Sequence, residues 1–114
     1  MNKYRNKKVI IDGIEFDSKK ESLRYKELKL LERAGLIKNI QLQVKFELQP
    51  SFKKNGETYR AITYIADFTY WNNKHSRTIV EDVKSEATRK DKVYAIKKKM
   101  FIYKYPELEF KEVN

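Results

Sequence analysis

The chain has no cysteine and only one histidine, His75, among its 114 residues. Disulfides and thiolate zinc sites are excluded, and one imidazole cannot build a histidine-based metal cluster. Any bound metal must then be a hard cation held by oxygen: magnesium, manganese or calcium. Long apolar runs are missing as well. No stretch approaches the ~20 residues of a membrane span, and the N-terminus lacks the apolar segment of a signal peptide. The expectation is a soluble, intracellular protein without a membrane partner. Internal repeats, low-complexity tracts and linkers are also absent, and 114 residues make one core but not two.

Positive charge is what the chain has in excess. Lys and Arg number 26 against 16 Asp and Glu, a formal net charge of +10. Charge of that size on a small domain favours a polyanionic partner. A solubility device or a lipid-headgroup binder is the plainer reading of the same number.

Residues 1–8 carry Lys3, Arg5, Lys7 and Lys8 with little apolar content and read as a flexible basic arm, leaving residues 9–114 as a single domain. Asp12-Gly13 between short apolar runs predicts a small hairpin. Ser18-Lys19-Lys20-Glu21 matches a capping box and Gly35 suits a helix C-terminus, so a helix is predicted over 18–34, with Leu23, Leu28, Leu30, Leu31 and Ala34 on its apolar face. Ile40, Leu42, Val44, Phe46 and Leu48 alternate with polar residues and define a strand ended by Pro50. A polar connection over 51–57 leads to a second strand over about 58–71, and a third follows over about 78–84. A helix capped by Ser85 or Thr88 runs to Pro106, with Tyr94, Phe101 and Tyr103 read as core. Leu108 to Val113 closes as a short strand, parallel to its neighbour if it joins the same sheet, because the return needs a crossover.

The chemistry concentrates around the second and third strands. Asp82 and Lys84 share a face because side chains alternate along a strand. If the register sets Asp67 opposite them, two carboxylates and an ammonium converge on one sheet edge. Acid-x-Lys alone is a weak signal in a chain that is 37% charged, since Asp17-Ser18-Lys19, Glu27-Leu28-Lys29 and Glu109-Phe110-Lys111 also fit it. Context selects Asp82-Val83-Lys84, which follows a strand bearing an Asp.

An acid in the first helix, Ala66-Asp67-Phe68, Val80-Glu81-Asp82-Val83-Lys84, a helix and a strand together resemble the PD-(D/E)xK nuclease superfamily. Within it the chain is similar to small phage and prophage nucleases akin to Holliday junction resolvases, and to transposon-end endonucleases. The resemblance implies an α/β fold with a restriction-endonuclease-like αβββαβ core, a mixed central sheet flanked by two helices, and a small N-terminal hairpin. It implies a metal-dependent DNA endonuclease that cuts branched or structured DNA, a Holliday junction or flap, leaving a 3′-hydroxyl and a 5′-phosphate. A bacterial cytoplasm with a phage- or prophage-encoded protein goes with it. Asp67, Asp82 and the Val83 carbonyl would hold one or two Mg2+ ions, with Mn2+ as substitute. Lys84 would position or deprotonate water, and Glu21 would complete the site.

Ala66 stands where the family has proline, and Glu81, beside Asp82, is the reserve ligand should a bulge exchange the two. Gln43, Thr88, Arg89, Lys92 and Lys97 are candidate nucleic-acid contacts, whereas His75 reads as an exposed turn residue. Each site residue has a plainer role: Glu21 in the capping box, Asp67 at a strand end, Asp82 with Lys84 as a surface pair. A four-way junction would favour a homodimer. The rival functions are a non-catalytic nucleic-acid-binding protein and a transposition-type nuclease subunit that needs a partner.

Overall fold

The computed structural model describes residues 8–114, and the basic arm expected over 1–8 falls almost wholly outside them. Strands β1 (Val9–Ile11) and β2 (Ile14–Phe16) form the N-terminal hairpin. Asp12 and Gly13 turn it with φ of 54° and 75°, the left-handed pair that a two-residue type I′ turn requires.

Helix α1 (Lys19–Arg33) starts at Ser18, whose Oγ accepts the Glu21 N–H at 3.2 Å. It ends in a Schellman motif, in which the Leu36 N–H donates to Leu31 O at 3.0 Å and Gly35 takes φ of 78°. Its buried side is Ser22, Tyr25 and Leu28. Leu23 and Leu30, expected on the apolar face, are exposed, because the 3.6-residue period turns them away once Tyr25 and Leu28 face the sheet.

The central sheet has the order β3-β6-β7-β8, formed by β3 (Ile37–Gln49), β6 (Ile62–Asn72), β7 (Arg77–Val83) and β8 (Glu109–Val113). The first three strands are antiparallel neighbours, and β8 joins β7 in parallel after the helical crossover, as the element order required. The fold is therefore mixed α/β with a mixed sheet. Phe16, Tyr25, Leu28, Phe68, Tyr70 and Ile79 form one core on the α1 side. Tyr64, Ala66, Val80, Tyr94 and Phe101 form another on the opposite side.

Two stretches depart from the sequence reading. The polar connection after Pro50 is a hairpin of β4 (Phe52–Lys54) and β5 (Glu57–Tyr59), turned by Asn55 and Gly56 at φ of 52° and 81°. The next long strand consequently begins at Ile62 rather than near Thr58. The single helix expected after Ser85 is two: α2 (Glu86–Arg89), capped by Ser85, and α3 (Lys92–Lys104), capped by Asp91. Asp91 accepts the Tyr94 N–H and supplies the second start signal. Tyr94 and Phe101 of α3 are buried, but Tyr103 is 89% exposed and is not core.

Candidate functional site

The β6/β7 ladder ends at Phe68 with Glu81, and just past its end the Asp67 and Asp82 side chains adjoin, with the Val83 N–H taken by the Asp67 carboxylate. At this level the β3/β6 ladder steps from Leu42↔Phe68 to Val44↔Ala66. Gln43, opposite Asp67, has φ of 51°. Ile40, Leu42 and Phe68 pack on the α1 side, while Phe46, Tyr64 and Ala66 pack on the α3 side. Both strands thus exchange faces at the Gln43–Asp67 rung, and the irregular backbone aims Asp67 toward Asp82 instead of leaving it in a regular row.

Asp67 is 8% exposed. Its Oδ2 accepts the Val83 N–H at 2.8 Å and its Oδ1 accepts the Gln43 amide at 3.4 Å. Asp82 is 1% exposed, and its Oδ2 accepts a short hydrogen bond from the Tyr64 hydroxyl. Its Oδ1 lies 3.2 Å from the Lys84 ammonium, yet the angle is not that of a hydrogen bond and this buried oxygen has no hydrogen-bond donor. Burial, and then the adjoining Asp67 carboxylate, push the Asp82 carboxyl up to about 7. The Lys84 ammonium also sits 4.8 Å from the centre of the Tyr94 ring, a cation–π contact that holds the chain over the site.

Glu21 approaches from the first turn of α1. Burial is the main cause that pushes its carboxyl up to about 7; Asp67 and then Asp17 add to it, and Lys84 opposes. The N-cap bond from Ser18 therefore coexists with a Glu21 side chain that senses the Asp67–Lys84 pair. The capping role and a role in the site are compatible. An open cleft of about 450 Å³ lies between the start of α1 and the β7–α2 junction, lined by Lys19, Lys20, Glu21, Lys84, Ser85 and Thr88 among others. A larger hollow of about 520 Å³ between α3 and β8 has one carboxylate, Glu112, already bonded to Tyr94 and paired with Lys98.

Glu81 faces the α1 side, as strict alternation from Asp82 demands. Arg24 grips it with Nε at 2.5 Å and Nη2 at 2.9 Å, and the Tyr70 hydroxyl donates to Oε2 at 2.5 Å. No bulge exchanges it with Asp82, and it points to Arg24 and Tyr70 rather than to Asp67 and Lys84, so the structure does not bring the reserve ligand Glu81 into the site. The expected nucleic-acid contacts divide. Gln43 orients Asp67, Thr88 lines the cleft, and Arg89 turns to Glu112 at 3.9 Å. Lys92 is exposed and Lys97 half-buried on α3, and neither lines the cleft. His75 is exposed in the β6–β7 turn, 3.8 Å from Glu109.

The donors suit a hard cation in kind: two facing carboxylates, one with a buried oxygen lacking a donor, and the Val83 main chain beside them. Among the described residues, no three Asp, Glu or His side chains converge closely enough to cage an ion.

Tyr64, Tyr94, Arg24 and Tyr70 were not found from the sequence. Tyr64 lies an odd number of residues from Asp67, and regular alternation puts it on the other face. Arg24 did carry a signal, since it stands three residues after Glu21 and projects to the same side of the helix.

No curated protein and no solved structure matches the chain. A family model does, across residues 1–113. The chain with this carboxylate–lysine site therefore belongs to the family described as Protein of unknown function (DUF1064).

Proposed function

We propose that this protein is a magnesium-dependent DNA endonuclease built on a restriction-endonuclease-like αβββαβ core, and that it acts on branched or structured DNA in phage or prophage recombination or replication. The order α1, β3, β6, β7, α3, β8 supports the core, with the β4–β5 hairpin as an insertion. One observation carries the activity: Asp67 and Asp82 face each other, nearly buried, with Lys84 3.2 Å from an Asp82 oxygen that has no hydrogen-bond donor. An ion pair between Asp82 and Lys84 does not need a second, nearly buried carboxylate beside it, whereas a bound cation that assists hydrolysis uses such a pair.

Asp67, Asp82 and the Val83 carbonyl would hold the cation, which polarises a phosphodiester and makes a bound water a better nucleophile at neutral pH. Gln43 and the Val83 N–H keep Asp67 oriented. Tyr64 keeps Asp82 oriented, while the Tyr94 ring restrains Lys84. Lys84 positions the attacking water and offsets the negative charge that grows on the phosphorus oxygens. Glu21, raised to about 7, exchanges a proton near neutrality at the mouth of the site. Lys19, Lys20 and Thr88 at the cleft are the phosphate contacts closest to the chemistry.

A second reading, a non-catalytic nucleic-acid-binding protein, is favoured by the two protein hydrogen bonds that already occupy Asp67. The two are separated by incubating labelled four-way junction, flap, single-stranded and linear duplex DNA with Mg2+, Mn2+ or Ca2+. Nicking of branched DNA with Mg2+ or Mn2+ supports the endonuclease. Salt-sensitive binding that is indifferent to metal and gives no cut on any substrate supports the binder.

A further inference from the structure

Helix α3 contains no acidic residue between Lys92 and Lys104, and its apolar residues do not all face the sheet. Tyr94 and Phe101 bury themselves in the core. Val93, Ile96 and Tyr103 are 59%, 58% and 89% exposed, and Met100, half-buried beside them, packs in part on the core. Positions 93, 96, 100 and 103 are spaced three, four and three apart, the a/d seam of a helix that packs against another helix. Lys92 and Lys99 lie along one edge of that seam, and Lys97 and Lys104 along the other, which are the flanking e and g positions. These four lysines form no ion pair among the described residues.

Charge decides between occupants. A second copy of α3 would set its own four lysines against these four across the seam, and like charges at e and g oppose pairing. Duplex DNA would satisfy the lysines and leave the four apolar side chains against phosphates. An amphipathic helix with an apolar stripe between rows of Asp or Glu satisfies both at once. We propose that the outer face of α3 is a docking site for an acidic amphipathic helix of a partner protein. Lys92 and Lys97 then act as flanking charges of a protein interface, on a surface distinct from the carboxylate site, so the inference does not depend on the endonuclease reading.

The test uses the full chain and fluorescently labelled three-heptad peptides with Leu at a and d and either Glu or Lys at e and g, read by anisotropy. The Glu peptide should bind saturably and the Lys peptide should not. Ile96→Asp and Tyr103→Ser, both at exposed positions that the fold does not need, should each weaken binding about tenfold or more, and salt near ~0.5 M should weaken it similarly. The free chain should not self-associate through this face, so Ile96→Asp should leave its sedimentation unchanged. Failure of the Glu peptide to bind, or binding indifferent to Ile96→Asp, overturns the proposal. So does a dimer of the free chain dissolved by Ile96→Asp, which would make a second copy the occupant. Adsorption to phosphatidylserine vesicles that Ile96→Asp abolishes, without peptide binding, would assign the face to a membrane surface and overturn it equally.

Discussion

Asp67 and Asp82 face each other across β6 and β7, and the Val83 N–H next to Asp82 donates to Asp67 Oδ2 at 2.8 Å. One carboxylate is thus fixed by the backbone beside the other. Two anions so placed compete with a proton for stability, and a cation can take the proton's place.

The first prediction concerns pH. In the folded chain Glu21 and Asp82 are raised to about 7 from ordinary values of 4.5 and 3.8. The folded state therefore binds more protons than the unfolded state between about 4 and 7, and stability must fall as pH rises through that window. Urea unfolding at pH 5 and pH 8 should show the chain more stable at the lower pH. Millimolar Mg2+ should reduce the difference by binding the folded form alone. Asp82→Asn should be more stable than wild type at pH 8, by on the order of 1 kcal/mol, with less pH dependence. Equal stability at both pH values in wild type contradicts the electrostatics described above.

Arg24 and Glu81 form a buried, bidentate pair capped by Tyr70. Arg24→Met strands a buried carboxylate and should cost about 3–5 kcal/mol in urea unfolding. Adding Glu81→Gln to it should recover a large part of that loss, because the stranded charge is gone. Additive losses in the double variant would show that the two side chains do not act as a pair.

Tyr64 donates to Asp82 and thereby holds its carboxyl lower than burial and Asp67 alone would. In Tyr64→Phe the Asp82 carboxyl should rise further, and the acidic limb of the pH–rate profile for DNA cleavage should shift to higher pH with a loss of about tenfold at pH 7. An unchanged profile would separate Asp82 from the step that limits the rate.

Gly35 closes α1 at φ of 78° with open space around the position of an added Cβ. Gly35→Ala should destabilise by about 1 kcal/mol through backbone strain alone, measured by thermal or urea unfolding, without altering cleavage per folded molecule.

Local signals were readable where one residue type has one physical use. Asp12-Gly13, Ser18 and Gly35 need only their own φ, ψ and side chain to act, and each stands where the pattern put it. The parallel pairing of β8 followed from crossover geometry once it joined the sheet. The exchange of faces at Gln43–Asp67 was hidden, because Gln43 sits inside an unbroken alternation of polar and apolar residues and nothing in its type announces φ of 51°. Tyr64 was hidden by the same kink. Leu23, Leu30 and Tyr103 misled in another way: apolar spacing states that a residue has apolar company on the helix, and only packing decides which stripe meets the sheet. Of the site, strand alternation put Asp82 and Lys84 on one face, Asp67 joined them on the condition of register and Glu21 through the family resemblance, and the tyrosines and Arg24 that hold them came only with the fold.

The most direct measurement is single-turnover cleavage of four-way-junction DNA in Mg2+ by wild type, Asp67→Asn and Lys84→Ala, with binding measured in parallel in Ca2+. The account predicts nicking by wild type, loss of about a thousandfold or more in both variants, and binding within a few-fold of wild type. Cleavage that persists in Asp67→Asn, or no cleavage by wild type on a junction that it binds in Mg2+, would contradict it.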